Sequence, residues 1–256
     1  MSRDWDAAAY DRLPIPMTGW GEAVLASLEL RGDERALDAG CGTGRVTELM
    51  LERLPRGEVV ALDGSASMLD RARERLGEER VTYVLADLSE PLPVAPSVDA
   101  VLSTATFHWV LDHDALFRNL AAVMRPGAQL VAQCGGRGNI ASIEVALAAM
   151  GEGLTGRKHY AGPEETRVRL DAAGFTDIQA WLHEEPARVP AEELEDYLGA
   201  ICLGDHVEGM DDQERSRFVH EVAARMPEPV IDYVRLDIRA RRATPGPTGR
   251  SGSDAP

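Results

Sequence analysis

Lysine is almost missing from this sequence: Lys158 is the only one, and arginine carries nearly all the positive charge, a bias that reads as codon usage. Acidic residues outnumber basic ones by 43 to 27, which leaves a formal net charge of −16. A surface this acidic repels phosphate backbones and argues against a nucleic-acid substrate. Cysteine is scarce as well. Cys41, Cys134 and Cys202 are odd in number and widely spaced, which speaks against a disulfide framework and fits a reducing compartment. No apolar run is long enough to cross a bilayer. The opening Met1-Ser-Arg-Asp-Trp5-Asp lacks the basic-then-apolar order of a secretory signal, so a cytoplasmic protein is expected. Asp112-His-Asp114 has the composition of a metal cluster but no further ligands at metal spacing; it reads as a helix cap, and no metal is expected.

What is present is a regular alternation. After a helical lead-in broken by Pro14-Ile-Pro16, Ala36–Asp38 reads as a short buried strand ending in glycines. Apolar residues at helical spacing follow over Arg45–Arg53. Val59–Leu62 is a second strand, and Ser65 caps a helix bearing Met68, Leu69, Ala72 and Leu76. Val81–Leu85, Asp99–Ser103 and Ala128–Gln133 complete five strands. The helix before the fifth is opened by Asp112 or Asp114 and stopped at Pro126-Gly127. Strand–helix–strand at this spacing means parallel crossovers, hence an α/β, doubly wound, mostly parallel sheet.

Beyond Cys134 the rhythm changes. Residues 138–170 and 191–226 read as helical insertions that cap one end of the sheet. Phe175–Leu182 and Val230–Arg239 read as strands. The expected organisation is a single domain over 1–242 with a disordered tail from 243 to 256, rich in Pro, Gly and Ser. Arg71-Ala-Arg-Glu-Arg75, flanked by Glu78 and Glu79, reads as a solvated helix face. Arg157-Lys158-His159, the densest positive group in an insertion, reads as a surface loop that an anionic substrate would otherwise find attractive.

Three carboxylates stand at strand ends. Asp38 precedes Gly40, Gly42 and Gly44, which let the backbone turn tightly and approach a ligand. A dinucleotide fingerprint wants glycine at 45, where this chain has arginine, and Asp38 suits a cationic ligand better than a pyrophosphate. Asp63, some 20 residues on, stands where a carboxylate accepts from a ribose diol in nucleotide-binding α/β folds. Asp87 follows the third strand, where it can accept from an adenine amino group while Leu88 packs on the ring. Met68 covers the other face, or is ordinary core.

The segments ALDAGCGTGRVTEL, VVALDGSASMLDRAR, ADLSEPLP and VDAVLSTATFHWV resemble successive motifs of the class I S-adenosylmethionine-dependent methyltransferases, over roughly residues 5–242. The resemblance implies a seven-stranded sheet with the last strand antiparallel and S-adenosylmethionine as cofactor. It also implies ribose contact at Asp63 and adenine contact at Asp87, with Trp5 and Tyr10 closing as a lid. Trp5-Asp-Ala-Ala-Ala-Tyr10 and Phe107-His-Trp-Val110 look most like small-molecule enzymes of the trans-aconitate methyltransferase type.

The Asp/Asn-Pro-Pro-aromatic element of base-methylating enzymes is missing after strand four. That absence agrees with the acidic charge against a nucleic-acid substrate, and His108 and Trp109, expected over the carboxyl ends of strands four and five and facing the cofactor's methyl group, are the candidate catalytic residues. His108 serves as a general base if the nucleophile is a hydroxyl or carbon acid, whereas either residue merely orients a carboxylate; packing of the helix start is the third option. Methyl transfer to an oxygen of a small acceptor is the expectation. The alternatives are C-methylation of a quinone- or polyketide-like molecule and a catalytically silent cofactor-binding protein. A nicotinamide oxidoreductase is disfavoured by the glycine spacing.

Overall fold

A computed structural model describes residues 17–153 and 157–244. The expected lid residues Trp5 and Tyr10, the Pro14-Ile-Pro16 break and nearly all of the expected tail lie outside the described residues.

Seven strands form one sheet in the order β3-β2-β1-β4-β5-β9-β6. They are β1 Arg35–Ala39, β2 Glu58–Asp63, β3 Val81–Leu85, β4 Val98–Thr104, β5 Met124–Gly135, β6 Phe175–Glu184 and β9 Val234–Arg242. Strands β1 to β5 pair in parallel, and β9 runs antiparallel between β5 and β6. The expected sheet, with its last strand reversed, is what the chain forms.

Alternate strand residues feed two cores. On one face Leu37, Val60, Leu62, Val101 and Leu130 pack with Leu116, Phe117 and Leu120 of the helix His113–Val123. On the other, Ala36, Val59, Ala61, Ala100 and Leu102 meet Val24, Leu25, Met50 and Leu69. The last four come from helices α1 Met17–Ala26, α2 Arg45–Arg53 and α3 Ala66–Leu76. Caps place these helices. Ser65 Oγ accepts from the Met68 amide at 3.3 Å, and Asp112 Oδ1 accepts from the Ala115 amide at 2.8 Å. Asp112-His-Asp114 is thus a cap, with Asp112 as the capping residue.

Three boundaries differ from expectation. The helix His113–Val123 ends before Pro126-Gly127, and β5 begins at once with Met124 paired to Val98. Pairing resumes only at Gln129 with Ala100, because Pro126 has no N–H for the ladder and Gly127 adopts φ 83. The final apolar run is two strands, not one. Val230–Ile231 (β8) pairs with Ala187–Arg188 (β7) in a separate ribbon, and β9 starts at Val234. The two helices within 138–170 also part company. Ala141–Ala149 joins a third core with Leu194, Leu198, Val219 and Tyr233, whereas Pro163–Ala172 sends Leu170 into the sheet core. The third core stands over the carboxyl ends of β4 and β5, and the candidate site lies beneath it.

Candidate active site

A cavity of about 780 Å³ opens at the carboxyl ends of β1, β2 and β4. Its floor is the glycine turn. The amides of Gly40 and Cys41 donate to Leu62 O at 2.7 and 3.0 Å, which ties the turn to the end of β2. Gly40 has φ 85, and a Cβ there would stand 2.2 Å from the Thr106 side chain. Gly42 has φ 54 but a Cβ there would meet nothing within 4 Å. The fold demands glycine at 40; at 42 bare backbone faces open cavity, which is the cradle a ligand needs.

Asp63 organises this end. Its Oδ2 accepts from the Gly42 amide and its Oδ1 from the Ser65 amide, both at 2.9 Å. Burial pushes its pKa up, while the amides of Ser65, Gly42 and Gly64 oppose the rise. A carboxylate offers about four lone-pair directions, so a diol can still be accepted beside these amides. Asp87 is held similarly: its Oδ1 accepts from the Ser89 amide at 2.9 Å and the Ser89 hydroxyl at 2.7 Å. Met68 and Leu88 are both buried and both line the cavity.

Asp38 lies beneath the turn and does not line the cavity. Thr47 Oγ1 donates to its Oδ2 at 2.7 Å, and its Oδ1 is buried without a hydrogen-bond partner among the described residues. Burial raises its pKa to about 7, against the Thr47 bond and with the help of Asp63's charge. Gly44 also stays outside the lining. It caps helix Arg45–Arg53 with φ 83, and a Cβ would come 2.9 Å from Leu76. Its role is helix packing.

At the other end stands His108, in a 3₁₀ turn Phe107–Trp109. The amide of Gly135 donates to its Nδ1 at 3.3 Å, so the ring proton is on Nε2. Burial holds its pKa well below the usual imidazole range, with Arg235, Lys158 and His113 adding positive potential. His108 is therefore neutral, with its only free lone pair already engaged. Its ring stacks on Tyr160 at 5.8 Å and tilts against Trp109 at 5.2 Å between centroids.

Two buried cations complete the wall. Lys158, expected on a surface loop, lines the cavity with its side chain only 5% exposed. Its Nζ sits 4.6 Å from the Trp109 ring centroid, donates to Cys202 O at 3.0 Å and lies 4.0 Å from Asp205 Oδ2. Arg157 beside it is the exposed member, ion-paired with Glu208. Arg235, expected only as one residue of the final strand, is buried and lines the same cavity. Ala105 and Ile140, with φ 54 and 56, also line it. Non-glycine residues held in this region cost about 1–3 kcal/mol each and concentrate at functional sites. The cavity thus brings together Gly40, Gly42, Asp63, Met68, Asp87, Leu88, His108 and Trp109 of the expected residues. Among the described residues there is no His/Cys/Asp/Glu group able to hold a metal, and no helix long and apolar enough to cross a membrane.

A family profile described as a methyltransferase domain matches residues 37–132. Over 131 residues the chain is 37% identical to a trans-aconitate 2-methyltransferase of Acidovorax ebreus, covering 51% of this chain and 49% of that protein. It is 32% identical over 180 residues to the enzyme of that name from Methylobacterium nodulans, covering 70% and 67% respectively. The matches to the first curated relatives thus span about half of those proteins' length. The fold is shared with Haemonchus contortus phosphoethanolamine N-methyltransferase 2, solved in complex with phosphomonomethylethanolamine and S-adenosylhomocysteine. That comparison gives a TM-score of 0.59 at 20% identity, over 88% of this chain and 52% of that one. The chain belongs to the class I S-adenosylmethionine-dependent methyltransferases, and S-adenosylmethionine is the cofactor of that family.

Proposed function

We propose that this protein transfers the methyl group of S-adenosylmethionine to a carboxylate oxygen of a small acceptor. When bound, the cofactor supplies an electrophilic methyl on a sulfonium. Gly40 and Gly42 would face its chain, Asp63 would accept from the ribose hydroxyls, and Asp87 would accept from the adenine amino group. Met68 and Leu88 would flank the ring. Asp38 contributes negative potential from below the turn, where its unpartnered oxygen favours a ligand carrying an amino group.

His108 carries the choice of acceptor. A hydroxyl or carbon acid must lose a proton, and a base for that step needs an open lone pair. His108 has none: Nδ1 is occupied by the Gly135 amide and Nε2 bears a proton. What it can do is donate from Nε2 to an oxygen that is already anionic. Such an acceptor needs alignment and exclusion of water, not deprotonation. Trp109 and Tyr160 wall the same space with their rings packed against His108. The names of the relatives agree with a carboxylate acceptor, and the acidic surface agrees with a small molecule over a nucleic acid.

The test is incubation with methyl-labelled S-adenosylmethionine and a panel of small acids, trans-aconitate among them. S-adenosylhomocysteine and a hydroxylamine-labile methyl ester are expected. A hydroxylamine-stable labelled product would instead mean an ether or C-methyl and overturn the carboxylate reading.

A further inference from the structure

Of the three cations that line the cavity, Arg157 is exposed and paired with Glu208, and the two buried ones are not equivalent. Lys158 has the carboxylate of Asp205 at 4.0 Å and the carbonyl of Cys202 at 3.0 Å. Arg235 is only 3% exposed, yet among the described residues no carboxylate lies within ion-pair distance of it. Its one side-chain hydrogen bond there runs from Nε to Gln133 Oε1 at 3.3 Å, and its guanidinium stacks 4.7 Å from the Trp20 ring centroid. Burying an uncompensated guanidinium costs several kcal/mol. Burial accordingly depresses its pKa.

A carboxylate stands close by on the same strand but is directed elsewhere. Asp237 Oδ1 accepts from Gln133 Nε2 at 3.0 Å, and its Oδ2 lies 2.7 Å from His183 Nδ1. The Gln133 amide is thus wedged between them, oxygen toward Arg235 and nitrogen toward Asp237. This orientation gives Asp237 Oδ1 a donor without the arginine and holds Nε, leaving the terminal nitrogens of the guanidinium to the cavity. A planar fork of donors without a counter-ion matches a carboxylate bidentately.

We infer that Arg235 is a specificity-determining residue: it receives a second anionic group of the acceptor, one that is not methylated, so the acceptor carries at least two. The inference rests on the methyl-transfer reading above. Lys158, already paired with Asp205, contributes far less net attraction, and Arg235 sets the preference.

Glutarate and butyrate differ by one carboxylate and probe this directly. Their binding to protein saturated with S-adenosylhomocysteine is measured by calorimetry, without turnover. Wild type is expected to bind glutarate about 10- to 100-fold more tightly, the worth of one charge-assisted hydrogen-bonded contact. Arg235→Gln is expected to abolish that preference while leaving S-adenosylhomocysteine affinity close to wild type, with a melting temperature no lower than wild type because the uncompensated buried charge is gone. Arg235→Lys, which keeps the charge and loses the fork, is expected to retain a reduced preference, and it stands in should Arg235→Gln fail to fold. Equal affinity of wild type for the two acids, or an undiminished preference in either variant, overturns the inference. Failure to bind S-adenosylhomocysteine at all strikes instead at the methyl-transfer reading.

Discussion

The backbone amide of Gly135 donates to Nδ1 of His108 at 3.3 Å, across from the end of β5 to the turn that follows β4. An amide can only donate, so this one contact turns a candidate base into a fixed donor. His108→Ala is expected to lower kcat/KM for the acceptor about 10- to 100-fold, the worth of a hydrogen bond to a charged group. His108→Gln, which restores an N–H donor, is expected to recover most of that loss. Cofactor affinity should not change in either. A proton-transfer role predicts losses of about 10²- to 10⁴-fold that glutamine does not rescue. Steady-state kinetics of the two variants separate the roles.

Asp63 lies where the amides of Gly42, Gly64 and Ser65 converge, and its removal takes an acceptor from each. Asp63→Ala is expected to weaken S-adenosylhomocysteine binding at least about 10-fold and to lower the melting temperature, since each bond to the carboxylate is worth about 1.5–3 kcal/mol. Calorimetry showing unaltered affinity would remove Asp63 from the cofactor site.

Gly40 and Gly42 answer different demands, and alanine scanning distinguishes them. At Gly40 a methyl collides with Thr106, so Gly40→Ala should unfold at markedly lower temperature. At Gly42 there is space, and the cost is the positive φ alone, about 1–2 kcal/mol. Gly42→Ala should therefore fold but bind cofactor poorly, because the new methyl occupies the cavity. A Gly42→Ala protein with wild-type cofactor affinity would mean the ligand passes elsewhere.

Much of this architecture was legible in the chain. Buried strands such as Val59–Leu62 are apolar runs bounded by turn residues, and caps such as Ser65 and Asp112 announce their helices. The grouping of Gly40, Gly42, Asp63 and Asp87 around one end of the cavity was legible for the same reason, because glycines and carboxylates at strand ends form a local pattern. The acceptor end was not. Arg235 sits in Val234-Arg-Leu-Asp-Ile-Arg-Ala-Arg-Arg242, whose alternation reads as one wet face. Only the pairing of β9 between β5 and β6, with Trp20 laid over Arg235, buries that end of the face, while Arg239 stays exposed. Lys158 follows a glycine-rich stretch and reads as exposed; its burial comes from Trp109 and the segment around Cys202, which are remote in sequence. The split between β8 and β9 was hidden because Asp232 and Tyr233 interrupt an otherwise continuous strand pattern by only two residues.

The buried carboxyl of Asp38 gives the protein a pH-dependent stability. Its folded pKa is near 7 against an ordinary 3.8, so between those values the folded state holds a proton that the unfolded state has lost. Stability contributed by this group is present in full below about pH 4 and is lost as pH rises toward 7, by at most about 4 kcal/mol. The ligand-free protein should gain melting temperature on Asp38→Asn at pH 8 and very little at pH 4.5, because asparagine can still accept from Thr47. A gain that is the same at both pH values would mean that Asp38 is ionised throughout. Cofactor binding should release a proton near pH 7 in wild type and not in Asp38→Asn, which calorimetry in buffers of different ionisation enthalpy reads directly.

Lys158 and Asp205 form a pair whose side chains are 5% and 1% exposed. Removing one member leaves the other charge buried, a change that typically costs about 3–5 kcal/mol. Lys158→Met and Asp205→Asn are each expected to lower stability, but by different routes: the first strands a carboxylate, the second leaves an ammonium over Trp109. The double variant has no stranded charge, so its loss should be smaller than the sum of the two singles by at least about 1 kcal/mol. Urea denaturation of the four proteins closes the cycle. Additive losses would show that the two charges do not compensate each other. The charge preference assigned to Arg235 would then have to be shared with Lys158.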